Sequence, residues 1–145
     1  SMNIVPVNQN NFSSALHLLK QNDLPTEDLT DTTKLFVMES GNDIIGTIGI
    51  EFHNSEALLR SLSVDADKRT KGLGQQLVQF IEDYAGENGA KSMWLLTTTA
   101  ETFFSKRNYQ RIEREQVPES IKSSSEFKSV CPASAAVMKK ELRSN

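Results

Sequence analysis

The sequence predicts an α/β fold with a mixed central sheet flanked by helices, and three observations support that prediction. Apolar runs over Leu35–Glu39 and Ile44–Phe52 enclose the turn Gly41–Asp43, whose glycine and asparagine tolerate the positive φ angles of a hairpin. Leu73–Tyr84 carries apolar residues along one helical stripe. The run Met93–Thr97 is short enough for a buried central strand. Hairpins followed by strand–helix–strand crossovers are typical of a mixed α/β domain.

The other predicted elements follow from the spacing of apolar residues and from turn signals. Apolar residues recur at helical spacing from Asn11 to Gln21, which predicts an amphipathic helix, and Thr26–Asp31 is expected to add a helical turn. Gly86–Gly89 is expected to end the long helix, because glycine favours the conformation that closes a helix. The remaining predicted elements are strands over Asn3–Val7, Ala57–Val64, Tyr109–Ile112 and Ser134–Leu142, and a short helix over Ala100–Arg107.

Length and composition limit the kinds of function. With 145 residues the chain has room for one domain, expected over residues 2–145, and Ser1 before Met2 resembles a scar of tag removal. The net charge is −3 and the basic residues are scattered, so a nucleic-acid partner is not expected. No apolar run approaches the ~20 residues that span a bilayer, so no membrane segment is expected.

The cysteine and histidine content predicts neither an internal disulfide nor a metal site. Cys131 is the single cysteine of the sequence, which suits a reducing, cytoplasmic location. His17 and His53 lie far apart, so no zinc-binding spacing exists. The choice between monomer and homodimer is left open.

The segment Leu58–Gly74 carries the most informative chemistry. A strand runs into a loop, and the loop places Gly72 and Gly74 where the next helix begins. Backbone N–H groups at a helix start lack intrahelical partners, and the helix dipole favours an anion there. Glycine lets a diphosphate approach the backbone, while Arg69 and Lys71 add positive charge. The loop therefore predicts a pyrophosphate-binding site.

Two common phosphate-binding motifs do not fit this loop. A P-loop needs Lys and then Ser or Thr after its last glycine, whereas two glutamines follow Gly74. A dinucleotide fingerprint would need a third glycine at Leu77. The pattern Arg-x-x-Gly-x-Gly over Arg69–Gly74, directly after a strand ending in Leu-Ser-Val, instead resembles the coenzyme A loop of GNAT acetyltransferases.

The resemblance to GNAT acetyltransferases extends from about Val37 to Leu142. It implies the GNAT acyl-CoA N-acyltransferase fold, acetyl-CoA as cofactor, and transfer of the acetyl group to an amine. In that family the strand before the loop pairs with pantetheine, and a backbone N–H, here that of Leu62, polarises the thioester oxygen. The cofactor-binding residues that the resemblance implies are Leu62, Ser63, Val64, Arg69, Thr70, Lys71, Gly72, Leu73, Gly74, Gln75 and Phe104.

A narrower resemblance concerns the second half of the chain. Leu95–Phe104, Val117–Ile121, Glu126-Phe127 and Cys131–Ala135 are similar to segments of the acetyltransferases encoded beside arsenic-resistance genes. A weaker likeness, through a Leu-Thr-Thr segment and Val117–Ser120, runs to the acetyltransferase domain of N-acetylglutamate synthases. Both likenesses imply a small, amino-acid-like acceptor, in a role such as arsenic or antimetabolite resistance.

Two charged residues on the predicted strands are candidates for the reaction itself. Glu51 lies near a strand end between apolar neighbours, a setting that suits a general base acting directly or through a water. The alternative is that Glu51 only faces solvent. Arg60 lies among leucines in mid-strand, where a guanidinium needs an anionic partner. That partner is either a substrate carboxylate, held by two hydrogen bonds, or an internal glutamate, Glu51 or Glu126.

The acceptor site and the general acid are less well defined. Phe103-Phe104 occupies the place where many GNAT enzymes carry a Phe-Tyr pair whose tyrosine is the acid, so a water or a threonine hydroxyl would replace it, or the thiolate would leave unassisted. A glutamate N-acetyltransferase and a non-catalytic CoA-binding regulatory module stay open as alternatives. Tyr109 is expected in the core. The acceptor-binding candidates, besides Arg60, are Ser61, Thr97, Thr98, Glu126 and Cys131, of which Cys131 is otherwise a small packed residue.

Overall fold

The computed structural model of the chain describes residues 2–130 and 133–142. These residues form two compact units. The first unit comprises the chain up to Glu51 together with Leu59–Tyr84, and the second comprises Phe52–Leu58 and the chain from Ala85 onwards. The prediction of one domain over residues 2–145 stays a prediction.

The first unit begins with antiparallel strands, as predicted. Its strands are β1 (Met2–Pro6), β2 (Lys34–Ser40), most of β3 (Asp43–His53) and the later part of β4 (Glu56–Val64). β1 pairs with β2 and β2 with β3, both antiparallel, and the β2–β3 register shifts between Met38 and Glu39. The predicted hairpin is confirmed, and Gly41 takes a φ of 62° in its turn.

Two helices belong wholly or mostly to the first unit. Helix α1 (Phe12–Gln21) packs Ala15 and Leu19 against β2, in a cluster with Leu35 and Val37. Helix α2 (Leu73–Glu87) directly follows the loop after β4. The helical turn predicted over Thr26–Asp31 is absent as a helix, because that segment makes only an isolated turn, in which Leu29 N–H donates to Thr26 C=O at 3.3 Å.

Helix α2 ends three residues later than predicted. Gly86 lies inside the helix and Gly89 closes it, with a φ of 92°. Ala90 N–H donates to Ala85 C=O at 3.0 Å and Gly89 N–H donates to Gly86 C=O at 3.2 Å, which is the hydrogen-bond pattern of a Schellman motif. The residue that closes the helix has a left-handed conformation, which glycine adopts without steric cost. The predicted stop signal is therefore present, but Gly89 closes the helix and Gly86 does not.

The second unit holds the other half of the sheet. Its strands β5 (Ser92–Thr97), β6 (Gln110–Ile112) and β7 (Ala136–Glu141) lie in the order β5-β7-β6. The first residues of β4 pair in parallel with β5, through Glu56–Leu58 and Ser92–Trp94. β7 pairs antiparallel with both of its neighbours. With β1 to β4 these strands form a seven-stranded mixed sheet, which confirms the predicted fold class.

The helical segments of the second unit are shorter and more numerous than predicted. Helix α3 spans Glu101–Ser105, inside the predicted range, because Thr97 Oγ1 accepts a hydrogen bond from Ala100 N–H and holds the preceding residues in a turn. Helix α4 (Glu119–Lys122) starts after Pro118 and buries Ile121 against Trp94 and Val137. Helix α4, the 3₁₀ turn Arg114–Gln116 and the π-helical segment Glu126–Val130 were not predicted, and neither was the 3₁₀ turn Ala66–Lys68 of the first unit. Strand β7 begins two residues later than predicted.

Candidate active site

A strained residue lies in the middle of β4. Ser61 has a φ of 60° and is buried, whereas L-residues other than asparagine, aspartate and glycine rarely adopt positive φ. Such a conformation in a strand redirects the peptide groups that follow, and it persists only where the surroundings enforce it. The N–H group predicted to polarise the thioester, that of Leu62, belongs to the next residue.

Two buried hydroxyl groups, those of Thr47 and Ser63, hold the conformation of β4. Thr47 Oγ1 donates to Ser61 C=O at 2.7 Å and lies 2.6 Å from Ser63 Oγ. Since a threonine hydroxyl carries one hydrogen, Ser63 is the donor in the second bond. Thr47 was not among the predicted site residues. Its signal in the sequence was a polar residue in the middle of the apolar β3 strand.

Arg60 is held by two carboxylates of the first unit. Its Nη1 and Nη2 donate to Asp28 Oδ2 and Oδ1 at 2.5 and 2.6 Å, and Nη1 also donates to Glu51 Oε2 at 3.0 Å. The exposed fractions of the Arg60, Asp28 and Glu51 side chains are 0%, 8% and 5%. Arg60 Nε donates to Ser61 Oγ at 3.2 Å, and Thr33 Oγ1 donates to Glu51 Oε2 at 2.9 Å. We call Asp28, Thr33, Glu51 and Arg60 the Arg60 cluster.

The Arg60 cluster decides between several of the alternatives left open by the sequence. Glu51 does not merely face solvent at a strand end, so that interpretation was wrong, because the burial of Arg60 draws the carboxylate inwards. Internal pairing of Arg60 with Glu51 is present. Its second partner, Asp28, was missed because it lies in the segment that the sequence predicted as a helical turn. Glu126 belongs to the second unit.

The predicted cofactor loop has the geometry of an anion site. Gly72 C=O accepts the first helical hydrogen bond of α2, from Gln76 N–H at 3.1 Å, so the N–H groups of Leu73 and Gly74 lie in the turn that has no intrahelical acceptor. Gly72 and Thr70 have φ values of 77° and 73°. A Cβ built on Gly72 meets nothing within 4 Å, so the loop leaves open space at this residue.

The charges of the loop also fit a diphosphate. Arg69 and Lys71 are exposed, and the first turn of α2 contains no acidic residue. Arg69 Nε donates to Val64 C=O at 3.3 Å, and its Nη2 donates to Asn22 Oδ1 at the end of α1. Asn22 is neutral, so this bond orients the guanidinium without cancelling its charge. The loop therefore has the geometry and charge of a site for a diphosphate.

The predicted site residues of the second unit have mainly packing or capping contacts. Thr97 is half-buried and accepts a bond from Ala100 N–H, while Thr98 is exposed. Phe104 is buried, with its ring 5.1 Å from that of Phe103 and 5.4 Å from that of Tyr109.

Three other residues of this unit complete the set of predictions. Tyr109 is buried, as predicted. Glu126 is buried at the start of the π-helical segment, and Cys131 lies outside the described residues. The roles of Glu126 and Cys131 in acceptor binding stay predictions.

Two predicted absences concern metals and membranes. In the part of the chain that the structure describes, no three or more His, Cys, Asp or Glu side chains are arranged to hold a metal ion. The helices of the same part are too short or too polar for any of them to cross a membrane.

A mixed sheet with an anion-binding loop between β4 and α2 is the arrangement of an acyl-CoA-dependent transferase fold. Residues 8–112 match the model of the acetyltransferase (GNAT) family, and the chain therefore belongs to that family. Acetyl-CoA is the acetyl donor general to this family. The resemblance predicted from the loop is confirmed at the level of the family.

The chain is also similar to a relative and to two solved structures. An uncharacterised N-acetyltransferase of Chlorobaculum tepidum is 34% identical over 87 residues, which cover 59% of this chain and 56% of the relative. The match thus spans little more than half the length of that relative.

The two solved structures are similar in fold. N-acetylglutamate synthase of Neisseria gonorrhoeae, complexed with coenzyme A and N-acetyl-glutamate, matches with a TM-score of 0.83 and 14% identity, over 99% of this chain and 35% of that chain. A GNAT-family acetyltransferase of Staphylococcus aureus Mu50 matches with a TM-score of 0.77 and 17% identity, over 99% and 100%. The first match is consistent with the weaker of the two predicted resemblances.

Proposed function

We propose that this protein transfers the acetyl group of acetyl-CoA to the amine of a small, amino-acid-like acceptor. The observation that carries the proposal is the continuous segment Ser61–Gly74. It joins a strained strand residue to an anion-binding loop at the start of α2, both within the first unit. Family membership supports the type of reaction.

In this proposal the cofactor supplies an acetyl group activated as a thioester. Arg69, Lys71 and the backbone of Thr70–Gln75 hold the diphosphate, and the strand residues Leu62–Val64 lie along pantetheine. The N–H of Leu62 donates to the thioester oxygen, where one such donor contributes ~2.7–4 kcal/mol to the transition state. The Thr47 hydroxyl fixes that N–H through its bond to Ser61 C=O.

Glu51 is the proposed base, through a water molecule. Its Oε2 accepts bonds from Arg60 and Thr33, and these bonds fix the carboxylate in one orientation, as a general base requires. Ser61 directly follows Arg60, and its buried hydroxyl oxygen accepts a hydrogen bond from Arg60 Nε at 3.2 Å. The acceptor's ammonium loses its proton here before the amine attacks.

The acid that protonates the leaving thiolate is proposed to be a water or the hydroxyl of Thr97 or Thr98. The tyrosine used by many GNAT enzymes is replaced by Phe104, which we propose lies beside the cofactor. A thiolate is a stable leaving group, because thiols have a pKa of about 8.5. Unassisted departure followed by protonation from solvent therefore needs no further residue.

We further propose a cytoplasmic location and an acceptor that carries a carboxylate, with Glu126 and Cys131 near the acceptor. Acetylation of an amino-acid-like antimetabolite, including an arsenical one, would make the protein a resistance enzyme. The fold likeness to N-acetylglutamate synthase favours glutamate as a second candidate acceptor. A third candidate function is that of a non-catalytic, CoA-binding regulatory module, because phenylalanine at position 104 lacks the hydroxyl of the usual acid.

Release of free CoA with a panel of amines tests the proposal. The panel contains amino acids including glutamate, amino-acid antimetabolites, and the amides of both, and acetyl-CoA binding is measured separately by calorimetry. We expect binding and turnover with at least one amino acid. Turnover with glutamate above all others would indicate the second candidate, whereas binding without turnover on any amine would indicate the regulatory module. Absence of binding would contradict the cofactor loop itself.

A further inference from the structure

The guanidinium of Arg60 already holds a carboxylate in the way that it would hold a ligand. Its two terminal nitrogens meet the two oxygens of Asp28 in parallel hydrogen bonds of 2.5 and 2.6 Å. This two-point contact is the geometry by which arginine recognises free carboxylates. The Arg60 side chain has no exposed surface, so a ligand carboxylate can reach it only if Asp28 gives way.

We infer that Asp28 is a specificity-determining residue of the acceptor site. Its carboxylate occupies the position on Arg60 that the carboxylate of the acceptor takes, and acceptor binding exchanges one carboxylate for the other. This inference rests on the proposed function, which supplies an acceptor with an amine and a carboxylate.

The exchange keeps Arg60 paired with an anion throughout. A buried guanidinium without an anion is costly, whereas replacing one carboxylate by another preserves the charge balance and both hydrogen bonds. Glu51 remains in place during the exchange, because it lies in β3 and accepts bonds from both Thr33 and Arg60. Its bond with Arg60, at 3.0 Å, is longer than the two bonds of Asp28.

Asp28 lies outside the helices and strands, in the irregular segment between α1 and β2. The segment between α1 and β2 contains isolated turns, with bonds from Leu29 N–H to Thr26 C=O at 3.3 Å and from Thr33 N–H to Thr30 C=O at 3.0 Å. Local openings of this kind involve far less free energy than disruption of a strand. Loss of the Asp28 contact therefore opens a loop and leaves the sheet intact.

A small carboxylate tests the inference without any enzymatic activity. In Asp28→Asn the side chain keeps its size and loses its charge, so sodium formate should occupy Arg60 and raise the melting temperature of the protein without cofactor. We expect a rise of several degrees relative to sodium chloride at equal ionic strength. The wild type and Asp31→Asn, which removes an exposed carboxylate from the same segment, should shift by less than one degree.

A second variant and a second measurement complete the test. If Asp28→Asn does not fold, Asp28→Ser, which leaves more space, takes its place with the same formate series. In acetyl transfer, the ratio of kcat/KM for the best amino acid of the panel to that for its amide should rise at least fivefold in Asp28→Asn and stay constant in Asp31→Asn.

The outcomes separate this inference from the proposed function. Stabilisation by formate in a protein that acetylates no amine would support the exchange at Arg60 and contradict the proposed function. The opposite result is an active Asp28→Asn protein that formate does not stabilise and whose ratio of kcat/KM for the amino acid to that for its amide is unchanged. That result would agree with the proposed function and contradict the role of Asp28.

Discussion

Two sets of ion pairs, one in each unit of this protein, lie in opposite environments. In the first unit, the charged side chains of the Arg60 cluster are buried, Arg60 Nε donates to Ser61 Oγ, and Thr33 Oγ1 donates to Glu51. In the second unit, the pairs Arg111–Glu101 and Lys139–Glu141 lie at the surface, with the Arg111 side chain 65% and the Glu141 side chain 69% exposed. Removing one partner of a surface pair changes the free energy of unfolding little, whereas removing one partner of a buried pair leaves an uncompensated charge and costs far more.

The backbone shows the same contrast between the units. The first unit has non-glycine residues at positive φ in mid-strand and beside the cofactor loop, at Ser61 and Thr70. In the second unit, the non-glycine residues Asn54 and Asn108, and the glycine that closes α2, Gly89, have positive φ in turns outside the strands. Strain inside a strand is kept only where a network enforces it. In the first unit, the conformations of Ser61 and Thr70 therefore lie at groups that we propose bind the acceptor and the cofactor, whereas those of the second unit lie in turns.

Removing the cation of the Arg60 cluster should give the largest effect. Arg60→Met leaves Asp28 and Glu51 buried without their guanidinium, which should lower the free energy of unfolding by ~3–5 kcal/mol. Arg111→Met makes the same change at an exposed pair and should cost less than ~1 kcal/mol. Urea denaturation of both variants measures the difference, and equal losses would remove the contrast between the units.

A side chain on Gly72 should weaken coenzyme A binding at least tenfold, which is ~1.4 kcal/mol. In Gly72→Val the isopropyl group fills space beside the first turn of α2 and disfavours the φ of 77°. Gly89→Val is the matched control, since Gly89 also has a positive φ and open space around a built Cβ. Calorimetry should show weaker binding for the first variant alone. Equal affinities in the two folded variants would place the diphosphate elsewhere.

Phe104→Tyr tests whether the packing of the second unit tolerates the hydroxyl used by other family members. We expect turnover equal to or above that of the wild type, with a loss of about 1 kcal/mol in stability because the hydroxyl enters a buried ring cluster. Phe103→Tyr, at the less buried neighbour, is the control. Collapse of turnover in a folded Phe104→Tyr protein would show that the site requires the phenylalanine.

The smallest effect is expected at Glu141 of β7. The hydrogen bond from Lys139 lowers the pKa of this carboxyl, with a further bond from Ser92, against the opposing effect of desolvation. Because the pKa of Glu141 is lower in the folded than in the unfolded state, its carboxylate stabilises the folded protein at pH values above the unfolded pKa. This contribution is lost as the pH falls through the folded pKa.

Glu141→Gln should therefore reduce the melting temperature slightly at pH 7, and the difference from wild type should vanish at pH values below the folded pKa. The same substitution at the exposed residue Glu115 is the control. A difference that grows towards acidic pH would contradict the assigned direction of the shift.

Local patterns in the sequence were sufficient for most elements of the fold. The hairpin at Gly41, the helix from Leu73 and the strand at Met93 were all predicted, because each depends on a period or a turn signal within a few residues. The segment from Arg114 to Val130 was not, since its short helical turns are stabilised by contacts such as that of Ile121 with Trp94. Such contacts join residues far apart in the chain.

The sequence by itself determined the class of this protein, because the Arg69–Gly74 loop is a local motif in which helix start, glycines and charges are consecutive. The tertiary structure alone decided the partners of Arg60. A guanidinium in an apolar strand indicates that an anionic partner lies close by. Which carboxylate is that partner depends on the path of the chain in the folded protein. Asp28, 32 residues away in an irregular segment, meets Arg60 through that path. The conformation of Ser61 has the same origin, since the Thr47 hydroxyl that fixes it comes from the neighbouring strand.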